Sequence, residues 1–370
     1  MGVGHTSAAN AMQEALESAY PDSRTRVVDS YKYAASVVSQ VVSNGYLGMV
    51  KTIPQMYRFL YARAERATEV GPFRAWVHQF TAGNLRALIE KERPDVVVCT
   101  HAFPCGVMAE YRRHFADAPP VVGVVTDFAV HAYWIHDNVA AYAVATPEMK
   151  NAMAARGIEA DRIFVTGIPI KPQFGELQFD REALRARLDL PLDRAVILLM
   201  GGGLGIGPLG RMLSALDAVD QPLCAVAIVG RSVRSEERVL ERATRIGYPV
   251  RVLRFVDNVY DYMHAADLLV SKPGGLTASE ALAANLPLVL FKPLPGQEER
   301  NTRYLMQRGA AVRAKNRDGL SQTVAALLED RTRIAGMRKA IGEIAKPDAA
   351  ARAATIIATV AREARGAAVS

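Results

Sequence analysis

Short apolar runs alternate with longer amphipathic segments along almost the whole of this 370-residue chain. The alternation predicts an α/β fold with parallel sheets, because parallel neighbours need a crossover helix between them. In the second half of the chain, the runs predicted to be strands begin at Ala195, Cys224, Val250, Asp267, Leu286 and Ala310. In the first half they begin at Thr25, Asp95, Pro120, Ala141 and Arg162.

Prolines interrupt this pattern in the segment "GIPIKPQFG" (Gly167 to Gly175). We therefore predict two doubly wound, Rossmann-like domains, residues 1–170 and 171–370, with the last helix able to pack back on the first domain. The opening "GVGHTSAAN" is typical of a glycine turn leading into a helix, and a strand is expected before such a turn. Only Met1 precedes Gly2, so we expect the first domain to lack its first strand. A start site placed downstream of the true one would explain this, and we favour that explanation over a degenerate gene copy.

The formal net charge of +7 suits anionic partners, which include nucleic acid, phosphorylated metabolites and an anionic membrane surface. Three cysteines without a CxxC pair, and the lack of a signal-peptide pattern, favour a cytoplasmic setting. The longest uncharged stretch runs from Tyr33 to Val50 and carries several serines, a glutamine and an asparagine. Such groups are costly in hydrocarbon, so we expect this stretch at a surface rather than across a membrane.

A first glycine-rich loop, "GGGLGIGPLG", follows a predicted strand, and Gly205, Gly207 and Gly210 fit the pattern GxGxxG. An NAD site also needs an acidic residue at the end of the next strand, where this sequence has Arg231. NAD is therefore disfavoured, while NADP stays open, and the absence of GK[ST] excludes a Walker loop. Taken alone, the loop either packs tightly or holds a diphosphate on backbone N–H groups.

A second glycine turn occurs in "SKPGGLTASEAL", where Gly274 and Gly275 precede Thr277 at a predicted helix start. Glu280 lies one turn inside that helix. A carboxylate there could accept hydrogen bonds from two ribose hydroxyls, or it could simply interact favourably with the positive end of the helix. The loop "PGQEERN" further on offers the amides and carboxylates that bind sugar hydroxyls, although a solvated turn has the same composition.

These motifs together resemble the family of bacterial and plastid diacylglycerol glycosyltransferases, which includes monogalactosyldiacylglycerol synthases and processive glucosyl enzymes. The resemblance rests on "SKPGGLTASEAL", "PLPGQEERN", "GGGLGIG" and "GVGHTSAANAM", and continues through "PDVVVCTHAFP", "TDFAVHAYW" and "TGIPIKPQF". More distantly, the chain is similar to the N-acetylglucosaminyl transferase that acts on lipid I.

The resemblance implies a GT-B enzyme, in which the second domain holds most of a UDP-sugar and the active cleft lies between the domains. It implies no metal and no cofactor, since the UDP-sugar is a substrate, and the sequence contains no DxD. It assigns the ribose to Glu280 and the uracil to backbone groups of Phe255 and Val256. The residues it places around the diphosphate or the donor sugar are Gly202, Gly203, Arg231, Gly275, Thr277, Gln297 and Glu298.

The resemblance also implies an inverting transfer, which needs a base beside the acceptor hydroxyl. His5 matches the histidine after the family's glycine loop, and its ordinary pKa suits proton abstraction near neutral pH. Asp127 is the competing base or a partner of His5. His101, Pro104, His131 and Trp134 are expected on the acceptor side, although His131 is equally typical of a structural histidine.

A diacylglycerol acceptor lies within a bilayer, so the enzyme is expected to dock peripherally on the cytoplasmic face of the inner membrane. Residues 45–80 interleave aromatic residues with basic ones, which is typical of docking on anionic lipid but also of an ordinary amphipathic helix. A non-catalytic binding protein, an NADP oxidoreductase and a UDP-GlcNAc-type transferase stay as alternatives, whereas no nucleic-acid module is recognisable. The choice among glucose, galactose and GlcNAc, the processivity and the oligomeric state stay open.

Overall fold

The computed structural model describes residues 3–30, 86–176, 179–202 and 207–369. They divide into two compact units. Unit 1 comprises His5–Pro169 and Asp348–Ser370, and unit 2 comprises Gly2–Gly4 and Ile170–Pro347. Each unit is built on a parallel sheet, so the expectation of two Rossmann-like α/β domains is confirmed.

Unit 1 contains a four-stranded parallel sheet in the order β1-β2-β3-β4 among the residues described. Its strands are β1 (Val97–Cys99), β2 (Val121–Val124), β3 (Ala141–Val144) and β4 (Ile163–Val165). Its helices are α1 (Val3–Ala19), α2 (Ala102–His114), α3 (Pro147–Ala154) and, from the far end of the chain, α12 (Ala349–Val369). β2 and β3 are buried throughout, which explains why both read as continuous apolar runs.

One core cluster of unit 1 joins residues from both ends of the chain. Met12 of α1 and Ile357 of α12 pack with Val122, Val124 and Ala141 of the sheet. Outside the core, Arg365 of α12 donates two hydrogen bonds to the carboxylate of Asp95, just before β1. The last helix is therefore a structural component of unit 1.

The run that begins at Thr25 is not a strand, so this expectation was wrong. Residues 24–29 have no regular secondary structure, and Val27 is 38% exposed. Its composition favours a strand, but a strand also needs a neighbour that accepts its backbone hydrogen bonds. Among the described residues, no strand lies beside this segment.

Unit 2 contains a six-stranded parallel sheet in the order β10-β9-β8-β5-β6-β7. The strands are β5 (Ala195–Met200), β6 (Leu223–Ile228), β7 (Val250–Leu253), β8 (Leu268–Ser271), β9 (Leu288–Phe291) and β10 (Ala311–Ala314). The helices are α4 (Arg181–Arg187), α5 (Leu209–Leu216), α6 (Val233–Ala243), α7 (Val259–Ala265), α8 (Gly275–Ala283), α9 (Gln297–Gln307), α10 (Arg317–Glu329) and α11 (Arg331–Ile344). All six strands predicted for this half are confirmed.

The strand order of unit 2 reverses between β5 and β8, which pair directly. In open α/β sheets, ligands bind beyond the carboxyl ends of the strands at such a reversal. β5 ends at Met200 and β8 ends at Ser271, so both glycine loops singled out in the sequence start there. The fold therefore brings these two loops together.

Asp267 ties α4 to this sheet immediately before β8. Its carboxylate accepts hydrogen bonds from Arg181 at 2.8 Å, from Arg185 at 2.7 Å and from the backbone N–H of Val196 at 2.7 Å. The guanidinium of Arg185 is almost entirely buried. A buried charge of this kind is stable only while its partners are present.

Candidate functional site

In unit 1, His5 lies in the first turn of α1 and contacts the carboxyl ends of two strands. Its Nδ1 atom lies 2.8 Å from the carbonyl oxygen of Thr100, which follows β1. The same Nδ1 lies 2.9 Å from Oγ1 of Thr126, which follows β2. The ring of His5 is therefore held at the edge of the sheet where ligand-binding residues of α/β folds are found.

A second histidine packs against His5. The rings of His5 and His101 meet edge to face, with 4.7 Å between their centroids. His101 caps α2, because its Nδ1 accepts a hydrogen bond from the backbone N–H of Phe103 at 3.1 Å. The cap explains why α2 begins directly after this residue.

Both rings favour the uncharged form. Burial lowers the pKa of His5, and the hydrogen bond to the Thr100 carbonyl offsets part of this effect. Burial, followed by the proximity of His5 and His131, lowers the pKa of His101 to about 3. Near neutral pH the cluster is therefore uncharged, and a neutral imidazole is the form that accepts a proton.

The other residues expected on the acceptor side differ in their exposure. Pro104 lies in the first turn of α2, and Asp127 is half-buried immediately after Thr126. His131 is buried and precedes a 3₁₀ turn, Ala132–Trp134. Trp134 is only 2% exposed, so in this structure its ring belongs to the interior of unit 1. The roles assigned to these four residues by resemblance stay predictions.

A tyrosine that the sequence did not single out fixes the loop that carries His131 and Trp134. The hydroxyl of Tyr142 donates to the carbonyl of Trp134 at 2.6 Å and accepts from the backbone N–H of His136 at 3.2 Å. Tyr142 is fully buried in β3. The loop is thus anchored to the sheet rather than held only at its ends.

In unit 2, a lysine lies at the strand-order reversal. Gly202 follows β5 with a φ of +82°, and a Cβ placed on it would lie 3.7 Å from Cε of Lys272. Nζ of Lys272 donates to Glu298 at 3.1 Å, and both side chains are mostly buried. A cation beside a glycine loop at this position is chemically suited to an anionic ligand. Gly203 lies outside the described residues.

The start of α8 adds backbone donors beside Lys272. The helix has Gly274 as its N-cap and begins at Gly275, which is buried, while Thr277 is half-buried in its first turn. The first N–H groups of a helix have no partner within the helix, so they favour an anion. The expected phosphate role of Gly275 and Thr277 is compatible with this position and stays a prediction.

Glu280 lies one turn inside α8 and is enclosed by protein, although part of its surface stays accessible. Burial raises the pKa of its carboxyl to about 8, and the charge of Lys171 opposes this effect. Glu280 is therefore mostly protonated at neutral pH when no ligand is present. Hydrogen-bond donors that approach the carboxylate would favour its ionised form.

Glu298, assigned to the donor sugar by resemblance, is engaged within the chain. One carboxylate oxygen accepts from Lys272, and the other accepts from the backbone N–H of Leu294 at 2.6 Å. Gln297 begins α9 directly after Gly296, whose φ of +94° favours glycine. To contact a sugar, Glu298 would have to use a carboxylate oxygen that already accepts a hydrogen bond from Lys272 or Leu294.

Arg231 and Phe255, both assigned to the nucleotide, contact each other beyond the ends of β6 and β7. The guanidinium carbon of Arg231 lies 4.5 Å from the centre of the Phe255 ring, which is a cation–π contact. Phe255 is 41% exposed, and Val256 beside it is half-buried. The two residues form an exposed polar and aromatic surface at the same sheet edge as Gly202.

Sequence reasoning missed Thr126 and Lys272. Thr126 ends a predicted strand, in "VVTD", and Lys272 follows one, in "LLVSKPGG", and these positions are the signal that could have identified them. Within the described part of the chain, no three His, Cys, Asp or Glu side chains are grouped as metal ligands would be. Over the same residues, no helix has the length and apolar character needed to cross a bilayer. Residues 45–80, expected to dock on membranes, lie outside this part.

Known proteins resemble the chain over both units. Residues 5–170 match the family model of monogalactosyldiacylglycerol (MGDG) synthase, and residues 180–348 match that of glycosyl transferases group 1. The processive diacylglycerol beta-glucosyltransferase of Bacillus cytotoxicus is 30% identical over 358 residues, which cover 96% of this chain and 90% of that protein. The enzyme of the same name from Bacillus subtilis is 30% identical and covers 86% of this chain, aligned with 82% of its own length.

Solved structures share the fold at low sequence identity. MurG of Acinetobacter baumannii matches with a TM-score of 0.55 and 18% identity, over 79% of this chain and 81% of that one. The UDP-GlcNAc 2-epimerase of Neisseria meningitidis, bound to UDP-GlcNAc, matches with a TM-score of 0.58 and 15% identity, over 80% of this chain and 84% of that one. At these identities the likeness supports the two-domain fold alone.

Proposed function

Because this chain belongs to the family of processive diacylglycerol beta-glucosyltransferases, we propose that it transfers glucose from UDP-glucose to the hydroxyl of diacylglycerol. The relatives are named for a β product, whereas the sugar of UDP-glucose is α-linked. The proposed transfer therefore inverts the anomeric carbon. The observation that carries the proposal is the position of the Lys272 side chain beside Gly202, at the strand-order reversal of unit 2 and next to the start of α8.

The donor is proposed to bind this part of unit 2. Lys272, Arg231 and the first N–H groups of α8 supply positive charge and hydrogen-bond donors for the diphosphate. Glu280 accepts the ribose hydroxyls, and the exposed edge near Phe255 receives the uracil. UDP is the nucleotide to test first, since the fold relative from Neisseria meningitidis holds UDP-GlcNAc.

His5 is proposed as the general base. The acceptor oxygen forms a bond to the anomeric carbon while the bond from that carbon to the β-phosphate oxygen breaks. The hydroxyl proton moves to His5, and UDP leaves with the electron pair and the added negative charge. Lys272 and the start of α8 stabilise that charge, which is greatest on the departing diphosphate. Asp127 is the competing base in this proposal.

The experiment that tests the function is a radiolabel assay with UDP-glucose, UDP-galactose and UDP-GlcNAc in parallel, each with diacylglycerol in mixed micelles. We expect glucolipid from UDP-glucose, and the same chromatogram separates products with one sugar from products with more. His5→Gln should abolish product while UDP-glucose still binds, whereas Asp127→Asn should retain measurable transfer. Product from UDP-galactose or UDP-GlcNAc alone would overturn the proposed donor, and full activity of His5→Gln would overturn the proposed base.

We also propose that the enzyme acts as a peripheral protein on the cytoplasmic face of the membrane, with the basic and aromatic segment 45–80 as its docking region. Each basic residue near an anionic surface contributes about 1 kcal/mol, so removing three should weaken vesicle binding by about a hundredfold. The residues to change together to serine are Lys51, Arg58 and Arg63. Sedimentation with anionic vesicles measures the loss, and turnover of a soluble short-chain acceptor is the control. Unchanged sedimentation would show that the docking region lies elsewhere.

A further inference from the structure

We propose that Thr126 is a positioning residue for His5. Together with the carbonyl of Thr100, its hydroxyl holds the His5 ring in the tautomer that has the proton on Nδ1 and a lone pair on Nε2. The catalytic meaning of this inference rests on the proposed function, because Nε2 is then the atom that takes the acceptor proton. The tautomer itself is a property of the protein alone.

His5 contacts the backbone of Thr100 through its Nδ1 atom. A neutral imidazole has one N–H donor and one acceptor nitrogen, whereas a carbonyl oxygen only accepts. Nδ1 of His5 lies 2.8 Å from the Thr100 carbonyl oxygen, which is an ordinary hydrogen-bond distance. In the other tautomer two lone pairs would face each other at this distance, so this contact favours the proton on Nδ1 by about the net worth of one hydrogen bond.

Thr126 adds a second acceptor on the same side of the ring. Its hydroxyl oxygen lies 2.9 Å from Nδ1 of His5 and 3.5 Å from the Thr100 carbonyl oxygen. The arrangement is consistent if Nδ1–H is shared between the two oxygens while the Thr126 hydroxyl proton is directed at the carbonyl. Thr126 is only 6% exposed, so water does not readily take the place of its hydroxyl.

Two acceptors on one N–H fix the plane of the ring as well as its proton. Nε2 then presents its lone pair on the opposite side of the imidazole, and among the described residues no group forms a hydrogen bond with it. A histidine base is often oriented by a carboxylate on its other nitrogen. Here a threonine hydroxyl and a backbone carbonyl perform that role without adding a negative charge.

His101, the ring packed against His5, does not compete with Nε2 of His5 for a proton. Its Nδ1 accepts the capping hydrogen bond from Phe103, so the neutral ring has its own proton on Nε2. Protonation of that Nδ1 would break the cap and place a positive charge at the positive end of α2. The ring packed against His5 therefore stays neutral, and Nε2 of His5 is the basic nitrogen of the pair.

The direct test is the tautomer of His5 in the unliganded full-length protein. The chain has seven histidines, so selective ¹⁵N-histidine labelling with long-range proton–nitrogen correlation gives few signals. The pair of ring-nitrogen signals that is absent from the spectrum of His5→Gln belongs to His5. We expect a protonated Nδ1 and an unprotonated Nε2. A proton on Nε2 of His5 in the wild-type protein would overturn the proposal without the need for any other variant.

Thr126→Val and Thr126→Ser test the hydroxyl. Valine keeps the shape but removes the acceptor, so we expect a mixture of His5 tautomers and a kcat lowered about three- to tenfold, the effect of one lost hydrogen bond. KM for UDP-glucose should not change, because the expected donor site lies in unit 2. Serine should restore both the tautomer and kcat. If valine leaves the tautomer and kcat unchanged, Thr126 does not position His5.

The same measurements separate this inference from the proposed function. A protein that shows the Nδ1–H tautomer but transfers no sugar refutes the glucosyltransferase and leaves the tautomer inference standing. A protein that transfers glucose but has its proton on Nε2 of His5 refutes the inference and leaves the enzyme standing. A melting temperature of the valine variant equal to that of the serine variant shows that lost folding does not explain the lower kcat.

Discussion

We predict that Glu280 makes donor binding depend on pH in a range where the phosphates of the proposed donor do not titrate. Burial raises the pKa of its carboxyl to about 8, whereas two ribose hydroxyls would donate best to the ionised form. Both phosphates of UDP-glucose are esterified and keep their charge between pH 6 and pH 8.5. A change of affinity over this range therefore reports a group of the protein.

The magnitude follows from proton linkage. If only the ionised carboxylate binds, the apparent Kd falls about tenfold per pH unit below 8 and levels off above it. Between pH 6 and pH 8.5 the total fall is then at most about eightyfold, and it is smaller if the protonated acid still accepts one hydroxyl. Binding should release close to one proton at pH 7, because ionisation of Glu280 accompanies it.

Isothermal titration calorimetry with UDP-glucose, in buffers of different ionisation enthalpy, measures both quantities. Glu280→Gln keeps the shape but cannot ionise, so its Kd should be weaker than that of the wild-type protein above pH 8 and independent of pH. A wild-type Kd that does not vary with pH would refute the reasoning, because the carboxyl would then not contact the donor. An equally steep dependence in the glutamine variant would assign the titration to another group.

The same carboxyl gives the unliganded protein a pH-dependent stability of known sign. The folded state holds this proton more tightly than the unfolded state, in which the pKa is near 4.5. Its contribution is therefore complete below pH 4.5 and is lost as the pH rises to about 8, with an upper limit of about 5 kcal/mol. The wild-type protein should therefore lose melting temperature relative to Glu280→Gln as the pH is raised through this interval.

Three further substitutions follow from contacts described above. Lys272→Met should weaken UDP-glucose binding about ten- to a hundredfold by calorimetry, since a charged hydrogen bond is lost, and unchanged affinity would remove Lys272 from the donor site. Asp267→Asn should lower the free energy of unfolding by about 3–5 kcal/mol in denaturant titrations, because Arg185 and Arg181 lose their partner. The exposed Asp193→Asn is its control and should leave the curve unchanged. Gly123→Ala would place a Cβ 2.7 Å from the Tyr142 ring, so a loss of about 1–3 kcal/mol is expected, and a neutral effect would mean that the ring moves freely.

The fold of unit 2 was accessible from the sequence because four of its six strands, β5, β6, β8 and β9, are buried over most of their length. Such strands appear as continuous apolar runs, and the six runs predicted there coincide with β5 to β10. The run at Thr25 shows the limit of this signal. Apolar composition reports how well a segment suits a sheet, but a strand exists only where a neighbour completes its hydrogen bonds.

The candidate site was accessible only in part, for a related reason. Sequence position places His5, Gly202 and Glu280 near the ends of strands or the starts of helices, where α/β folds bind ligands. It carries no information about contacts such as that between His5 and Thr126, which lie 121 residues apart. A single threonine or lysine after a strand has no distinctive spacing, so its role emerges only from the atoms around it.

The last helix has a consequence for the order in which the protein folds during synthesis. Unit 1 needs α12, because Ile357 completes the core around Met12 and Val122. Between Pro169 and Asp348 the ribosome adds about 180 residues, which takes about 10–35 s at ordinary elongation rates. Through that interval the sheet of unit 1 lacks the apolar cover that α12 supplies, while the residues of unit 2 emerge. Unit 2, although it comes later in the chain, can therefore complete its fold before unit 1 does.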